Sequence, residues 1–165
     1  IYEGGHHVPF IVKWPGLTKA ASVCDKLVSQ IDFMATFASA LDYPLPRKAA
    51  EDSHNLLPLL KGKKASPRKA HIHNTRAEAW AIRVGEWNLI EGKSGYHSGR
   101  NQQWEEKRNY PTDDKDPVEL YHYAKDPSQR VNLAKKFPKK VAELQKELKI
   151  SRERGFTAPR LVGSR

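Results

Sequence analysis

Hydrophobic residues recur along this chain with two different spacings, and the change of spacing divides it into two parts. In the first part, an apolar run over Val8–Trp14 lies between turn formers, which predicts a strand covered on both faces. Apolar residues then recur at helical spacing over Ser29–Leu41, where Ser29 and Asp32 form the pattern of a capping box. Both elements need neighbours to cover them, and no companion for the strand is evident in the sequence.

From Ala70 onward the apolar residues alternate with a period of two, which is typical of half-buried strands. Short strands are predicted over His71–His73, Trp80–Val84, Trp87–Leu89 and Val118–Tyr123. The pair Gly85-Glu86 suits a type II′ hairpin turn, because Gly stands in its first position. Asp126–Gln129 predicts the start of a helix, and Pro138 opens an amphipathic helix at the end of the chain.

These patterns predict an α/β chain, more closely an α+β fragment. Residues 1–66 would form a strand plus a helix that need neighbours to cover them. Residues 67–165 would form a small four-stranded antiparallel sheet with a closing C-terminal helix, a combination that can bury one face of the sheet. Because Ile1 is not Met and begins inside a patterned element, we expect an upstream portion that also carries any leader sequence.

The charge balance favours anionic partners. The chain has 29 Lys and Arg against 19 Asp and Glu, a formal net charge of +10, which suits acidic polysaccharides, nucleic acid or acidic membrane surfaces. Aromatic residues are not interleaved with Lys and Arg on one strand face, so we predict no nucleic-acid partner. No apolar run approaches the ~20 residues of a membrane span, so we predict no membrane partner. The basic run Lys61–Lys69 is typical of a solvated loop.

Histidines are the most prominent candidates for chemistry. Adjacent residues in an extended segment point to opposite sides, so His6 and His7 do not easily chelate one ion. His71 and His73 share a strand face, but zinc needs at least a third protein ligand, and we predict no metal site. His73 and Asn74 stand at a strand end, where one interpretation of His73 is an ordinary hydrogen-bonded surface histidine.

Residues 91–117 form a long segment with little periodicity, which is typical of either a functional loop or a disordered one. It contains Tyr96, His97, Arg100 and Trp104. Aromatic rings stack on sugars, and the Arg100 guanidinium can bind an anionic group with two hydrogen bonds. The single cysteine, Cys24, excludes an internal disulfide and a multi-cysteine metal site.

Several stretches, taken in order, carry a family resemblance. They are Tyr2–Gly16, Val28–Asp32, Glu51–Pro58, Ala81–Ile90, Glu119–Tyr121, and Asp126-Pro127 with Asn132–Ala134. Together they resemble the C-terminal portion of type I, formylglycine-dependent sulfatases, which are arylsulfatase-like members of the alkaline phosphatase superfamily. The resemblance implies that residues 1–66 are the C-terminal end of a larger, mixed-sheet sulfatase catalytic core and that the reaction is hydrolysis of a sulfate ester.

In that family a hydrated formylglycine attacks sulfur beside a calcium ion, and basic groups stabilise the sulfate oxygens. The nucleophile lies in a Cys/Ser-x-Pro-Ser-Arg motif, whereas Cys24 is followed by Asp25, Lys26 and Leu27. The resemblance therefore implies that the nucleophile and the calcium ligands lie upstream and that this chain alone is inactive. Its partners would be an upstream sulfatase core and a sulfated carbohydrate or aryl sulfate, in a periplasmic or secreted protein.

Five residues are predicted to bind substrate: His6, His7, His73, Asn74 and Arg100. The resemblance points to His73 and Asn74, because relatives send loops towards the substrate from that strand end, whereas Arg100 is a candidate from its own chemistry. His7 departs from the relatives, which usually carry Arg there. No catalytic residue and no metal ligand are predicted within the chain. The alternative hypothesis is a non-catalytic basic module that binds an acidic polysaccharide or another polyanion through its surface charge.

Overall fold

The structure, a computed structural model, describes residues 1–76, 78–92, 103, 106–108 and 116–159. Two compact units are present: Ile1–Val8 with Ala70–Lys149, and Pro9–Lys69 with Ile150–Arg165. The predicted division between residues 66 and 67 stays a prediction. Within the described ranges, no helix combines the length and the apolar character that crossing a membrane requires.

The first unit is built on a four-stranded sheet. Its strands are β1 Ala70–Arg76, β2 Ala79–Val84, β3 Trp87–Glu91 and β4 Val118–His122. They lie in the order β1-β2-β3-β4, and each neighbouring pair is antiparallel, which confirms the predicted meander. The backbone of Gly85-Glu86 fits the predicted type II′ turn. The first residue, Gly85, has φ +56°, as this turn requires, and the second, Glu86, is not among the residues with positive φ.

One face of the sheet is closed by a helix. Besides α1 Phe33–Ala40 and α2 Leu57–Leu60, the chain contains α3 Pro138–Arg154, which matches the predicted amphipathic helix. Its Leu144 and Leu148, one turn apart, pack on Ile82, Leu89 and Leu120 of the sheet, and all of these side chains are buried. Each fully buried Leu or Ile contributes roughly 1.5–3 kcal/mol. Trp80 and Trp87 are partly buried and pack against this cluster.

The opposite face of the sheet is covered by the beginning of the chain. Ala81, Ile90 and Tyr121 are buried there, and Ile1 and Tyr2 pack against them. The two sets of buried residues lie on different faces of the sheet, because successive side chains along a strand point to opposite faces. The stretch that precedes Val8 is thus part of the sheet unit, and it lies on the face that α3 leaves open.

The turn at Asp126–Gln129 differs from the predicted helix start. Asp126 Oδ2 accepts the backbone N–H groups of Arg130 and Val131 at 2.7 and 2.8 Å, as a capping residue would. Gln129, however, has φ +51°, a conformation that a right-handed helix cannot contain. The segment is therefore a capped turn, and the Gln129 side chain is used elsewhere in the unit.

The second unit is organised around Asp32, which is fully buried. Its carboxylate accepts N–H groups from Ser29 and His54, each at 2.9 Å, and Nε of Arg68 at 3.0 Å. The predicted capping box of Ser29 and Asp32 is present. Arg68 is only 4% exposed, so it does not belong to the solvated basic run in which the sequence placed it. A buried guanidinium needs a paired carboxylate, and Asp32 supplies it.

The predicted strand over Val8–Trp14 does not form, and Ile11 is 91% exposed. A strand requires a hydrogen-bonded neighbour, and no described residue provides one to this segment. Helix α1 is present as predicted, but it buries only its small residues Ala35, Thr36 and Ala38. Large apolar side chains in the helix and directly after it remain exposed to solvent, with Met34 58% and Leu41 78% exposed.

Gly92 provides a test of the sheet unit. Its φ is +89°, and a Cβ atom at this position would lie 1.8 Å from the carbonyl oxygen of Glu78. Gly85, with φ +56°, faces open space. We expect Gly85→Ala to cost about 1 kcal/mol from backbone strain alone. Gly92→Ala should cost about 1–3 kcal/mol more, because the added methyl meets the backbone. Urea unfolding measures both, and equal costs would contradict the close approach.

His54 gives a pH-dependent test of the second unit. Burial lowers its pKa below the ordinary value, and the charge of Arg68 adds to this effect. The neutral ring is therefore favoured in the folded state, so stability is fully present above the unfolded pKa of about 6.5 and is lost as the pH falls below it.

We expect the free energy of unfolding to decrease as the pH falls from about 7 towards 5. His54→Asn should remove the part of this decrease that comes from protonation of His54. Urea titrations at several pH values measure it, and NMR titration of the ring protons gives the pKa directly. A folded-state pKa of His54 at or above about 6.5 would contradict the expectation.

Candidate functional site

Cross-strand pairing gathers polar side chains on the sheet face that α3 does not cover. His71 of β1 lies opposite Arg83 of β2, Arg83 opposite Asn88 of β3, and Asn88 opposite Tyr121 of β4. The neighbouring row begins with His73. A face this polar is unusual for a covered sheet, and the N-terminal stretch Ile1–Val8 meets it with polar groups of its own.

Glu3 is the centre of this contact. It is 5% exposed, and its Oε1 accepts a hydrogen bond of 2.6 Å from Nη1 of Arg83. Its backbone N–H donates to Oε1 of Gln129 at 2.6 Å. Imidazole nitrogens of His6 and His7 each lie 3.4 Å from one of its carboxylate oxygens. The Glu3 carboxylate thus contacts a strand and two histidines, and its backbone N–H contacts the turn at Gln129.

The surroundings of Glu3 favour its charged form. Burial alone would raise the pKa of the Glu3 carboxyl, but the His6 hydrogen bond and the charges of Arg83, His6 and His7 hold that pKa below its ordinary value. The Tyr123 ring also positions Arg83, whose guanidinium carbon lies 4.2 Å from the ring centre. The pair is therefore charged and fixed in orientation.

A second carboxylate lies at the far side of the same face. Glu119 Oε2 accepts hydroxyl hydrogen bonds from Tyr2 at 2.9 Å and from Tyr121 at 2.6 Å. Burial raises the pKa of the Tyr121 hydroxyl, and the hydrogen bond to Glu119 raises it further. Tyr121 therefore stays protonated and acts as a donor within β4, while the hydrogen bond from Tyr2 to Glu119 ties the N-terminal stretch to that strand.

Three imidazoles converge at the β1 end of the face. The ring centres of His6 and His73 are 4.0 Å apart, those of His71 and His73 are 5.3 Å apart, and those of His6 and His71 are 6.1 Å apart. One nitrogen from each ring lies within 4.8 Å of the others. His73 is partly buried, and burial lowers its pKa below the ordinary value. The hydrogen bond to the Ile1 carbonyl raises the pKa, but its effect is smaller than that of burial.

The structure separates the predicted substrate-binding residues into different places. His6 and His73 come together, whereas His7 turns away and its Nδ1 lies 3.1 Å from the Tyr123 hydroxyl. Asn74 is exposed, and as the neighbour of His73 it points to the other face of β1. Arg100, with the rest of its predicted loop from Tyr96 to Trp104, lies outside the described residues. The role of all five in substrate binding stays a prediction.

Sequence reasoning missed the polar residues that hold the site together. The alternation of β2 already placed Arg83 on the face away from Ile82, and strand register would have paired it with His71. No local signal connects Glu3 with Arg83, because 80 residues separate them. Adjacent glycines such as Gly4 and Gly5 are a sequence signal for unusual backbone angles or close approaches. In the structure neither has a positive φ, and a Cβ on either would meet no described atom within 4 Å.

The described residues do not fit the calcium ion that the resemblance implies. Calcium takes six to eight oxygen ligands, whereas the metal-capable cluster found among the described residues consists of His6, His71 and His73. Cys24 is exposed and is followed by Asp25 and Lys26, so it does not stand in the motif from which formylglycine is made.

Comparison with known proteins identifies the relatives of this chain. A family model described as N-sulphoglucosamine sulphohydrolase, C-terminal, matches residues 1–154. The chain is 35% identical over 153 residues to an N-acetylgalactosamine-6-O-sulfatase of Bacteroides thetaiotaomicron, covering 93% of this chain and 29% of that protein. It is 27% identical over 161 residues to arylsulfatase K of Gallus gallus, covering 90% and 26%. The chain spans less than a third of either relative.

Solved structures agree with this assignment. One, from work on the metabolism of multiple glycosaminoglycans by Bacteroides thetaiotaomicron, has a TM-score of 0.68 and 32% identity over 89% of this chain and 29% of its own. Another was solved in complex with its substrate, D-glucosamine-2-N,6-O-disulfate. It has a TM-score of 0.63 at 20% identity over 87% of this chain and 27% of its own, which shows likeness of fold.

The role of Glu3 can be tested with Glu3→Gln. The substitution leaves Arg83 without its charged partner, and we expect the free energy of unfolding to fall by roughly 1–3 kcal/mol. The backbone N–H of His7, which donates to the Glu3 carbonyl at 2.8 Å, should exchange faster with solvent as the turn loosens. Glu86→Gln, at an exposed position of the same unit, is the matched control. Unchanged exchange at His7 would contradict the anchoring role.

Proposed function

This chain belongs to the sulfatase family, as a C-terminal domain homologous to that of N-sulphoglucosamine sulphohydrolase, and we propose that it completes an enzyme that hydrolyses sulfate esters of a sulfated polysaccharide. The observation that carries the proposal is the family match over residues 1–154. The relative that is 35% identical is an N-acetylgalactosamine-6-O-sulfatase. We therefore propose a sulfated amino sugar as the substrate unit.

The nucleophile and the metal ion are proposed to come from an upstream core. The chain corresponds to 29% of its Bacteroides relative, so most of such an enzyme lies outside it. Formylglycine and calcium, which the family resemblance implies, would both belong to that core. The described residues support this division, because they offer imidazoles in place of an oxygen-rich calcium site.

The surface of the second unit also supports an upstream partner. Ile11 is 91% exposed, Met34 58%, Phe37 53% and Leu41 78%, while the small residues of the same helix are buried. Large apolar side chains exposed together mark a surface that another element covers. We propose that the upstream core packs on these residues and supplies the hydrogen-bonded neighbours that Val8–Trp14 lacks.

In this proposal the chain contributes to substrate binding at the sheet unit. His7 and Asn74 are exposed, so they are available to hydroxyl or sulfate oxygens, and Arg100 remains the candidate for an anionic group. His6 and His73 donate ring N–H groups to backbone carbonyls and are less exposed, which suits them to support the site. A periplasmic or secreted location fits an enzyme that degrades polysaccharides, and we include it in the proposal.

Assaying the chain alone and joined to its upstream sequence tests the proposal. We expect the joined protein to release sulfate from 6-O-sulfated N-acetylgalactosamine and the chain alone to release none, because no nucleophile motif is present. Cys24→Ala in the joined protein should retain activity. Ion chromatography of free sulfate measures the product.

Two results would contradict this function. Sulfate release by the chain alone, abolished by Cys24→Ala, would place the nucleophile in this chain. If the joined protein bound a sulfated polysaccharide without any release of sulfate, the non-catalytic basic module would be the better description. Salt-dependent binding measured by titration calorimetry distinguishes that case.

A further inference from the structure

The imidazole cluster lies on the sheet face that α3 does not cover, and the proposed sulfate chemistry assigns its rings no catalytic step, yet its arrangement is specific. His6 comes from the N-terminal turn, and His71 and His73 come from the same face of β1. One nitrogen from each ring lies within 4.8 Å of the other two. That spacing allows one ion to contact all of them with small adjustments of the rings.

The hydrogen bonds of two rings select which nitrogen is available. His6 Nδ1 lies 2.9 Å from the Tyr2 carbonyl oxygen, and His73 Nε2 lies 2.9 Å from the Ile1 carbonyl oxygen. A carbonyl only accepts, so these nitrogens carry protons. The other nitrogen of each ring offers a lone pair when it is unprotonated, and a metal ion at His6 would displace the proton that Nε2 shares with Glu3. Metal-binding histidines typically donate their second N–H to a backbone carbonyl or carboxylate in this way.

Two further observations point to a cation between the rings. His73 Nδ1 is buried and has no hydrogen-bond partner among the described residues, which leaves a polar atom unsatisfied. Oε2 of Glu3, a buried carboxylate, lies 3.4 Å from His6 Nε2, the nitrogen left for a ligand. The carboxylate would offset the positive charge of an ion bound there.

We propose that His6, His71 and His73 form a binding site for a divalent first-row transition-metal ion, with Zn²⁺ as the expected occupant. Three neutral imidazoles suit zinc, copper or nickel, whereas calcium and magnesium prefer oxygen ligands. Zinc is four-coordinate, so one position remains for Glu3, water or an anionic oxygen of a ligand. The ion would join the N-terminal turn to β1.

This inference does not depend on the sulfatase proposal. Metal binding by the imidazoles and release of sulfate are measured separately, and either result can fail while the other stands. The proposed ion is also distinct in chemistry from the calcium of the family, because its ligands are nitrogen atoms of this chain.

Titration calorimetry of the 165-residue chain tests the site after removal of metals with a chelator. We expect one Zn²⁺ per chain near neutral pH and no binding of Ca²⁺. His71→Gln and His73→Gln should each weaken Zn²⁺ binding by about tenfold or more. His7→Gln, adjacent to the cluster but outside it, should bind as the unchanged chain does. This control distinguishes the cluster from adventitious binding by surface histidines.

Zn²⁺ should also raise the melting temperature of the chain and of His7→Gln, but not that of His73→Gln, because an ion that binds only the folded state stabilises it. Circular dichroism checks that each variant is folded. Should a variant be unfolded, NMR of the unchanged chain decides: Zn²⁺ must shift the ring signals of His6, His71 and His73 together. Absence of those shifts, or unchanged affinity in folded His73→Gln, would overturn the proposal.

Discussion

The ion pair between Glu3 and Arg83 is the constraint on which the arrangement of the sheet unit depends. Both groups are largely removed from water, and burying charges is costly unless the geometry and the remaining hydrogen bonds are well satisfied. Here the neighbouring histidines also stabilise the charged Glu3 carboxylate, and the Arg83 guanidinium lies over the Tyr123 ring. Because this pair fixes the N-terminal turn on the sheet, His6 is held beside His73.

The second unit uses the same physical device. Asp32 and Arg68 are both buried, and the carboxylate accepts backbone N–H groups from two further segments, at Ser29 and His54. Removing either partner of such a pair typically costs about 3–5 kcal/mol, because the other charge is left unpaired. In each unit, one saturated carboxylate therefore connects segments that lie far apart in the sequence. A small apolar core alone would not determine these connections.

The family relationship and the exposed surface lead to the same view of the protein. The chain belongs to the sulfatase family and spans 29% of its Bacteroides thetaiotaomicron relative. The exposed apolar residues, such as Ile11 and Leu41, are costly for a surface in contact with water. Both facts agree with our proposal that these residues pack against an upstream sulfatase core.

The sequence by itself determined the elements whose signals are local. The period of two led to the antiparallel strands, the spacing of Leu144 and Leu148 led to the closing helix, and Ser29 with Asp32 marked a helix start. These predictions were confirmed because residues close in sequence create the pattern and also form the element. The ordered family motifs added the sulfatase assignment, which the comparisons confirmed.

Only the tertiary structure decided the features that need distant partners. Val8–Trp14 has the composition of a strand but finds no neighbour, and Arg68 looks like part of a basic loop but is buried against Asp32. The cluster of His6 with His71 and His73 likewise exists only because the N-terminal turn lies on β1. Hydrogen bonds, ion pairs and ligand sets join residues across the chain, and local periodicity contains no information about which ones meet.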